Sequence, residues 1–95
     1  MIEELYRRID HALESGRGGL SALSLKIHAN PELRFEEHNA SSWLAKEAGA
    51  VADRVEHPVG GLATAFRATR GRGAHRVAFL AEYDALFSGD DSVLG

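Results

Sequence analysis

Cysteine is absent from this 95-residue chain, and long apolar stretches are missing as well. Without cysteine the chain forms no disulfide, no thiolate zinc site and no cysteine nucleophile. No segment reaches the eighteen or so apolar residues of a membrane span, and the first residues lack the apolar core of a secretory signal. We therefore expect a cytoplasmic protein, and its length suits one small domain or part of one.

The chain also lacks a strong excess of positive or negative charge. Although 26% of its residues are charged, the net charge is only -3. We therefore expect neither a nucleic acid nor a membrane as partner. Four arginines, Arg67, Arg70, Arg72 and Arg76, do lie near two phenylalanines, a combination that can bind nucleic acid. Since the overall charge is negative, the solvated tip of a hairpin is the better interpretation of this cluster.

What the chain does contain is an apolar run that ends in two acids. Residues 76–86 read RVAFLAEYDAL, with glycines on either side. A run of this kind predicts a buried strand, and sites in open α/β sheets form beyond the carboxyl ends of strands. Glu82 and Asp84 are thus the first candidates for chemistry, as metal ligands, as a general base or as partners that orient a histidine. The alternative is a solvated strand end with a turn-forming aspartate.

Helical periodicity dominates the first half of the chain. Apolar residues recur at steps of three and four over residues 2–14, which predicts a helix with one buried face. Glycines within residues 16–19 are expected to end it, since each weakens a helix by about 1 kcal/mol. A second helix should begin at about residue 20 and end near residues 28–30, ahead of Pro31. A third is predicted over residues 36–48, with an apolar stripe made of Ala40, Trp43, Leu44 and Ala48.

The second half favours strands, predicted over residues 51–59, 62–69 and 76–83. Gly60 and Gly61 suit a turn between the first two. Three helices followed by three strands are typical of the opening part of a larger α/β domain.

Five histidines, at positions 11, 28, 38, 57 and 75, do not have the spacing of a helical zinc motif, so surface roles are expected for most of them. His28 is the candidate to keep, because the segment around it combines a helix end, an Asn-Pro turn and an acid. The serines lack the glycine-flanked context of a catalytic nucleophile.

Four segments, in this order, resemble the opening of a known enzyme family. They are residues 28–38 (HANPELRFEEH), 43–45 (WLA), 60–66 (GGLATAF) and 77–86 (VAFLAEYDAL). The family is that of metallopeptidases comprising aminoacylases, hippurate and auxin-conjugate hydrolases, aminobenzoyl-glutamate hydrolases and dipeptidase-like members. The form EYDAL is most similar to the branch with the last two groups.

The resemblance implies a three-layer α/β/α catalytic domain of the zinc-exopeptidase type, with a smaller lid or dimerisation domain inserted into it. In such enzymes two divalent metals, zinc or manganese, activate water against the amide of an N-acyl amino acid or dipeptide. Asp84 matches the aspartate beside the metal centre and is the predicted catalytic residue. Glu82 and His28 are expected to lie next to the residues that bind the metals, without binding metal themselves.

The chain departs from the family pattern after Leu86. The family continues into a Gly-His-Ala-Cys-Gly-His segment, whereas residues 87–95 read FSGDDSVLG. We therefore expect residues 1–95 to be the amino-terminal portion of a catalytic domain, with a divergent or truncated tail at 87–95, without a metal site of their own and inactive alone. The alternative is a non-enzymatic interaction or dimerisation module with an open sheet edge, and such an edge also predicts self-association.

Overall fold

The computed structural model describes residues 1–87 and 93–94. The fold is mixed α/β, as predicted, but with two helices where three were expected. Most of the tail predicted at residues 87–95 lies outside the described residues. The elements in chain order are α1 (Ile2–Ala29), α2 (His38–Gly49), β1 (Arg54–Glu56), β2 (Arg67–Thr69), β3 (Leu86–Phe87) and β4 (Val93–Leu94).

Helix α1 continues through the glycines that were predicted to end it, so the predicted break is wrong. Glycine makes a helix less favourable by about 1 kcal/mol but keeps its N–H, and the helical hydrogen bonds continue across it. Proline is the residue that removes the donor, and the first proline is Pro31. The helix ends at Ala29, where the Asn30 side-chain amide donates to the Lys26 carbonyl at 2.9 Å.

The apolar face of α1 was predicted to be buried, and this is also wrong. None of its residues is buried, and Leu13, for example, is 61% exposed. A helix buries a face only where another element covers it. Near its carboxyl end α1 does meet the rest of the chain, with Lys26 Nζ 4.1 Å from the centre of the Trp43 ring. Among the described residues no helix is long and apolar enough to cross a membrane.

Helix α2 confirms the third predicted helix and contributes most of the small core. Ala40 and Ala45 are buried on the face that packs against β1 and β2. Trp43, Leu44 and Ala48 are half-buried, so the predicted stripe lies on the inner face.

Strands β1 and β2 form an antiparallel pair, with Val55 opposite Ala68. Both lie within predicted strands but are only three residues long. The turn predicted at Gly60 and Gly61 is present, and both residues have positive φ (63° and 75°), a backbone conformation that glycine adopts at low cost. Strands β3 and β4 form a second, separate antiparallel pair.

The apolar run at residues 76–83 forms no strand, so the predicted three-stranded sheet is wrong for the described part of the chain. Phe79 is 94% exposed and Leu80 is 97% exposed. A buried strand needs neighbours that supply hydrogen bonds and layers that cover both of its faces. Strand β2 pairs with β1 and not with this run, and residues 76–82 remain exposed to solvent.

Candidate functional site

The two acids that follow the apolar run border two shallow clefts. The first, of about 270 Å³, lies between the carboxyl end of α1 and the residues that lead to Ala85. The second, of about 280 Å³, is bordered by residues 81–84 and by Arg34, Phe35, Glu37, Leu62, Thr64 and Ala65. Glu82 and Asp84 line both clefts, which makes this part of the chain the candidate site.

All three residues singled out from the sequence meet at the first cleft. His28 lines it from α1, and Glu82 and Asp84 line it from the opposite side, together with Pro31. Each of the three predicted residues is exposed to solvent. The structure thus brings them together, and the roles assigned to them remain predictions.

Asp84 is held in place through its neighbour. The Ala85 N–H donates to the Glu32 carbonyl at 2.6 Å, and Ala85 pairs with Leu33 in a parallel bridge. Ala85 is only 6% exposed, whereas Asp84 next to it is open to solvent. The aspartate is therefore an accessible acid on a fixed backbone and not part of a frayed tip.

Tyr83 fixes the same segment from the other side. Its hydroxyl donates to the Thr64 carbonyl at 2.5 Å, and the buried Thr64 hydroxyl in turn donates to Glu37 at 3.3 Å. Burial, and to a smaller degree the negative charge of Glu37, raises the pKa of Tyr83, so the phenol stays protonated and keeps donating. Phe66 stacks on the Tyr83 ring with centroids 6.4 Å apart. Tyr83 is half-buried, whereas Glu82 and Asp84 on either side of it are exposed.

Glu32 is a site residue that the sequence reasoning missed. Its carboxylate accepts hydrogen bonds from the backbone N–H groups of Asn39 (3.0 Å) and Ala40 (2.8 Å), in the first turn of α2. The side chain therefore caps the helix from outside, while Glu37, at the capping position, makes no such bond. The sequence does not reveal this role, because capping residues normally lie directly at the helix start and Glu32 lies five positions ahead of the N-cap residue Glu37.

The arginine cluster lies elsewhere and is mostly solvated, with Arg70, Arg72 and Arg76 exposed. Arg67 on β2 and Arg54 on β1 instead both donate to Glu56 on β1, each at 2.5 Å, and only the bond from Arg67 crosses the strand pair. These two bonds, from Arg67 first and Arg54 second, lower the pKa of Glu56. The carboxylate of Glu56 is thus paired with Arg54 and Arg67 within the β1–β2 pair.

A metal centre needs several converging ligands, and the described residues do not provide them. No group of three or more histidine, aspartate or glutamate side chains in this part of the chain could hold a metal ion. His28, Glu82 and Asp84 share a cleft without forming such a group. The site is therefore an arrangement of acids and a histidine beside an open cleft.

Comparison with known proteins places this arrangement in context. The chain is similar to one of the subunits of the p-aminobenzoyl-glutamate hydrolase of Escherichia coli strain K12, with 38% identity over 85 residues, covering 90% of this chain and 18% of that protein. It is also similar to the Xaa-Arg dipeptidase of Mus musculus, with 41% identity over 96 residues, covering 90% of this chain and 22% of that protein. The chain spans about one fifth of the length of these curated relatives. No family model and no solved structure matches it.

Proposed function

Because this chain belongs to the amidohydrolase and peptidase family of these two relatives, we propose that it forms the amino-terminal part of a metal-dependent catalytic unit that hydrolyses amide bonds. The substrates would be N-acyl amino acids or dipeptides, in keeping with the names of the relatives. The observation that carries the proposal is the position of Asp84, an exposed acid on an anchored backbone beside two clefts.

In this proposal the chain contributes the carboxylate of Asp84, held at a fixed position, and not a metal site. The two divalent ions, zinc or manganese, would polarise the amide when bound, but the described residues supply no ligand group for them. Asp84 would act by accepting a hydrogen bond from a neighbouring ligand and holding that ligand in orientation. Glu82 and His28 would border the same cleft and set its charge. The 95 residues alone would not turn over substrate.

A chimeric enzyme tests this role directly. In the Escherichia coli relative, the matched segment is replaced by the matching residues of this chain, and hydrolysis of p-aminobenzoyl-glutamate is measured. We expect the chimera to be active and Asp84→Asn to lower its kcat/KM by about 10- to 100-fold, the usual effect of losing a residue that orients a metal ligand. Asp53→Asn is the matched control, because Asp53 accepts a bond from the Gly71 N–H in the hairpin, and we expect unchanged activity.

Two results would contradict the proposal. One is a folded chimera in which Asp84→Asn and Asp53→Asn are equally active. The other is turnover by the isolated 95-residue chain in the presence of zinc or manganese, which would show a site complete without further residues.

A second candidate function is a non-enzymatic interaction module, favoured by the exposure of residues 76–82. Val77, Phe79 and Leu80 are between 82% and 97% exposed, and an apolar segment that can adopt a strand conformation can pair with a strand of another chain. In that case backbone amides of residues 76–83 should become protected from hydrogen exchange as the protein concentration rises. Exchange that stays fast at every concentration would exclude this pairing with a second copy.

A further inference from the structure

Helix α1 carries an exposed apolar stripe along most of its length. Taking 100° per residue, the stripe residues fall within an arc of about 100° on one side of the helix. They follow the spacing of a heptad repeat, in which apolar residues alternate at steps of three and four. The stripe consists of Ile2, Leu5, Tyr6, Ile9, Leu13 and Leu20, each 48% to 61% exposed.

The exposed part of the stripe has a defined end. Leu23 and Ile27 continue the same repeat but are half-buried, and Ile27 lines the first cleft together with Pro31 and Tyr83. The rest of the chain therefore occupies the carboxyl end of this face. A straight partner helix can lie only along residues 2–20, a length of about 28 Å at 1.5 Å per residue.

A row of charged residues runs along one side of this stripe. The residue at its start is acidic and the residue at its end is basic. Glu3 lies near the start, Asp10 near the middle and Arg17 near the end, at intervals of seven residues. Glu3 and Arg17 are 82% and 74% exposed. Arg17 contacts Glu14 at 3.4 Å, an exposed pair of the kind that contributes little, so Arg17 remains available to a partner. A helix with the reversed charge order would complement this flank.

We propose that the partner is a second copy of this chain, with two α1 helices packed antiparallel along residues 2–20. A two-fold axis level with His11 places Ile2 opposite Leu20 of the second copy and Ile9 opposite Leu13. The same axis brings Glu3 of each copy beside Arg17 of the other. Tyr6 then lies over Gly16, where the missing side chain leaves room for the ring.

The size of the stripe agrees with this pairing. Half-exposed apolar side chains over this length would remove on the order of 1,200 Å² from solvent in total, at the lower end of the range for specific interfaces. The arrangement has one unfavourable feature, since it brings Asp10 of the two copies near each other across the axis. That feature makes the register testable.

The experiment measures the dimer dissociation constant of the 95-residue chain by sedimentation equilibrium, with helix content checked by circular dichroism. Glu3→Arg and Arg17→Glu should each weaken the dimer at least about threefold, because each change affects two symmetry-related pairs. The double variant should restore the original constant. Asp10→Asn should tighten the dimer, and Leu13→Glu, at an exposed position, should weaken it at least tenfold.

Three results would overturn the proposal. A chain that stays monomeric at all accessible concentrations would show that another partner or segment covers the stripe. A dimer that is insensitive to Leu13→Glu would lie on a different surface. A dimer weakened by Asp10→Asn, or not restored by the double charge exchange, would have another register or a parallel arrangement.

Discussion

Glu32 connects the segment that carries Asp84 to the start of helix α2. Its backbone carbonyl accepts from Ala85, next to Asp84, and its carboxylate accepts from two amides at the start of α2. The unpaired N–H groups of a first helical turn carry partial positive charge, which favours a carboxylate there. One residue thus links the position of the acid, through its backbone carbonyl, to the stability of the helix, through its side chain.

Replacing Glu32 by alanine should therefore destabilise the chain by about 0.5 to 2 kcal/mol, the range for loss of a helix cap. Glu32→Gln keeps an acceptor oxygen and should cost less. Urea unfolding followed by circular dichroism measures both changes. Glu36→Ala removes another exposed acid just before α2 and serves as control, with an expected change within about 0.5 kcal/mol. Equal effects for Glu32→Ala and Glu36→Ala would show that the cap contributes nothing.

At the residue scale the sequence identified the two acids but not the residues that hold their segment in place. Glu82 and Asp84 stand out because they follow an apolar run, and His28 because it ends a helical pattern. Glu32 and Tyr83 act through contacts with Asn39, Ala40 and Thr64, which are set by how the chain folds back on itself. Spacing along the sequence carries no signal for such contacts.

At the scale of elements, α1 shows that the low helix propensity of individual residues does not decide where a helix ends. Three glycines lower its intrinsic helicity, yet the helix is continuous from Ile2 to Ala29. At Gly18 an added Cβ would meet no atom within 4 Å, and φ is not positive there. An alanine is therefore sterically free at this position.

Gly18→Ala should increase the stability of the middle of α1 by about 0.5 to 1 kcal/mol, because alanine loses less backbone entropy in a helix. Amide hydrogen exchange over residues 14–22 measures this local change. Gly60→Ala is the contrasting control, since Gly60 has φ of 63° and alanine there should be destabilising. If the native chain already exchanges rapidly at residues 16–19 only, the helix is interrupted there after all.

Elements that bury a face against a neighbour were predicted better than elements that lack one. The α2 prediction holds because its apolar stripe and its contact with β1 and β2 agree. The α1 stripe and the run at residues 76–83 have equally clear patterns, but the described chain offers them no covering layer. A hydrophobic pattern predicts a tendency to be buried and not the presence of the surface that buries it.

At the scale of the whole molecule, little apolar surface is enclosed. The buried apolar residues of the described chain are Ala40, Ala45 and Ala85, all small, while larger side chains such as Phe79 and Leu13 face solvent. Small cores give marginal stability, and exposed apolar patches commonly mark sites of association. A catalytic unit completed by further residues and a helix-paired dimer would both cover such surface, and the chimera and sedimentation experiments separate these two explanations.

The bridge between Leu33 and Ala85 joins positions more than fifty residues apart along the chain. Closing so long a loop is entropically costly, so a contact of this kind forms late in folding. During synthesis on the ribosome, α1 and α2 are translated before Ala85. The cleft beside Asp84 can therefore form only after the chain has been translated past Ala85.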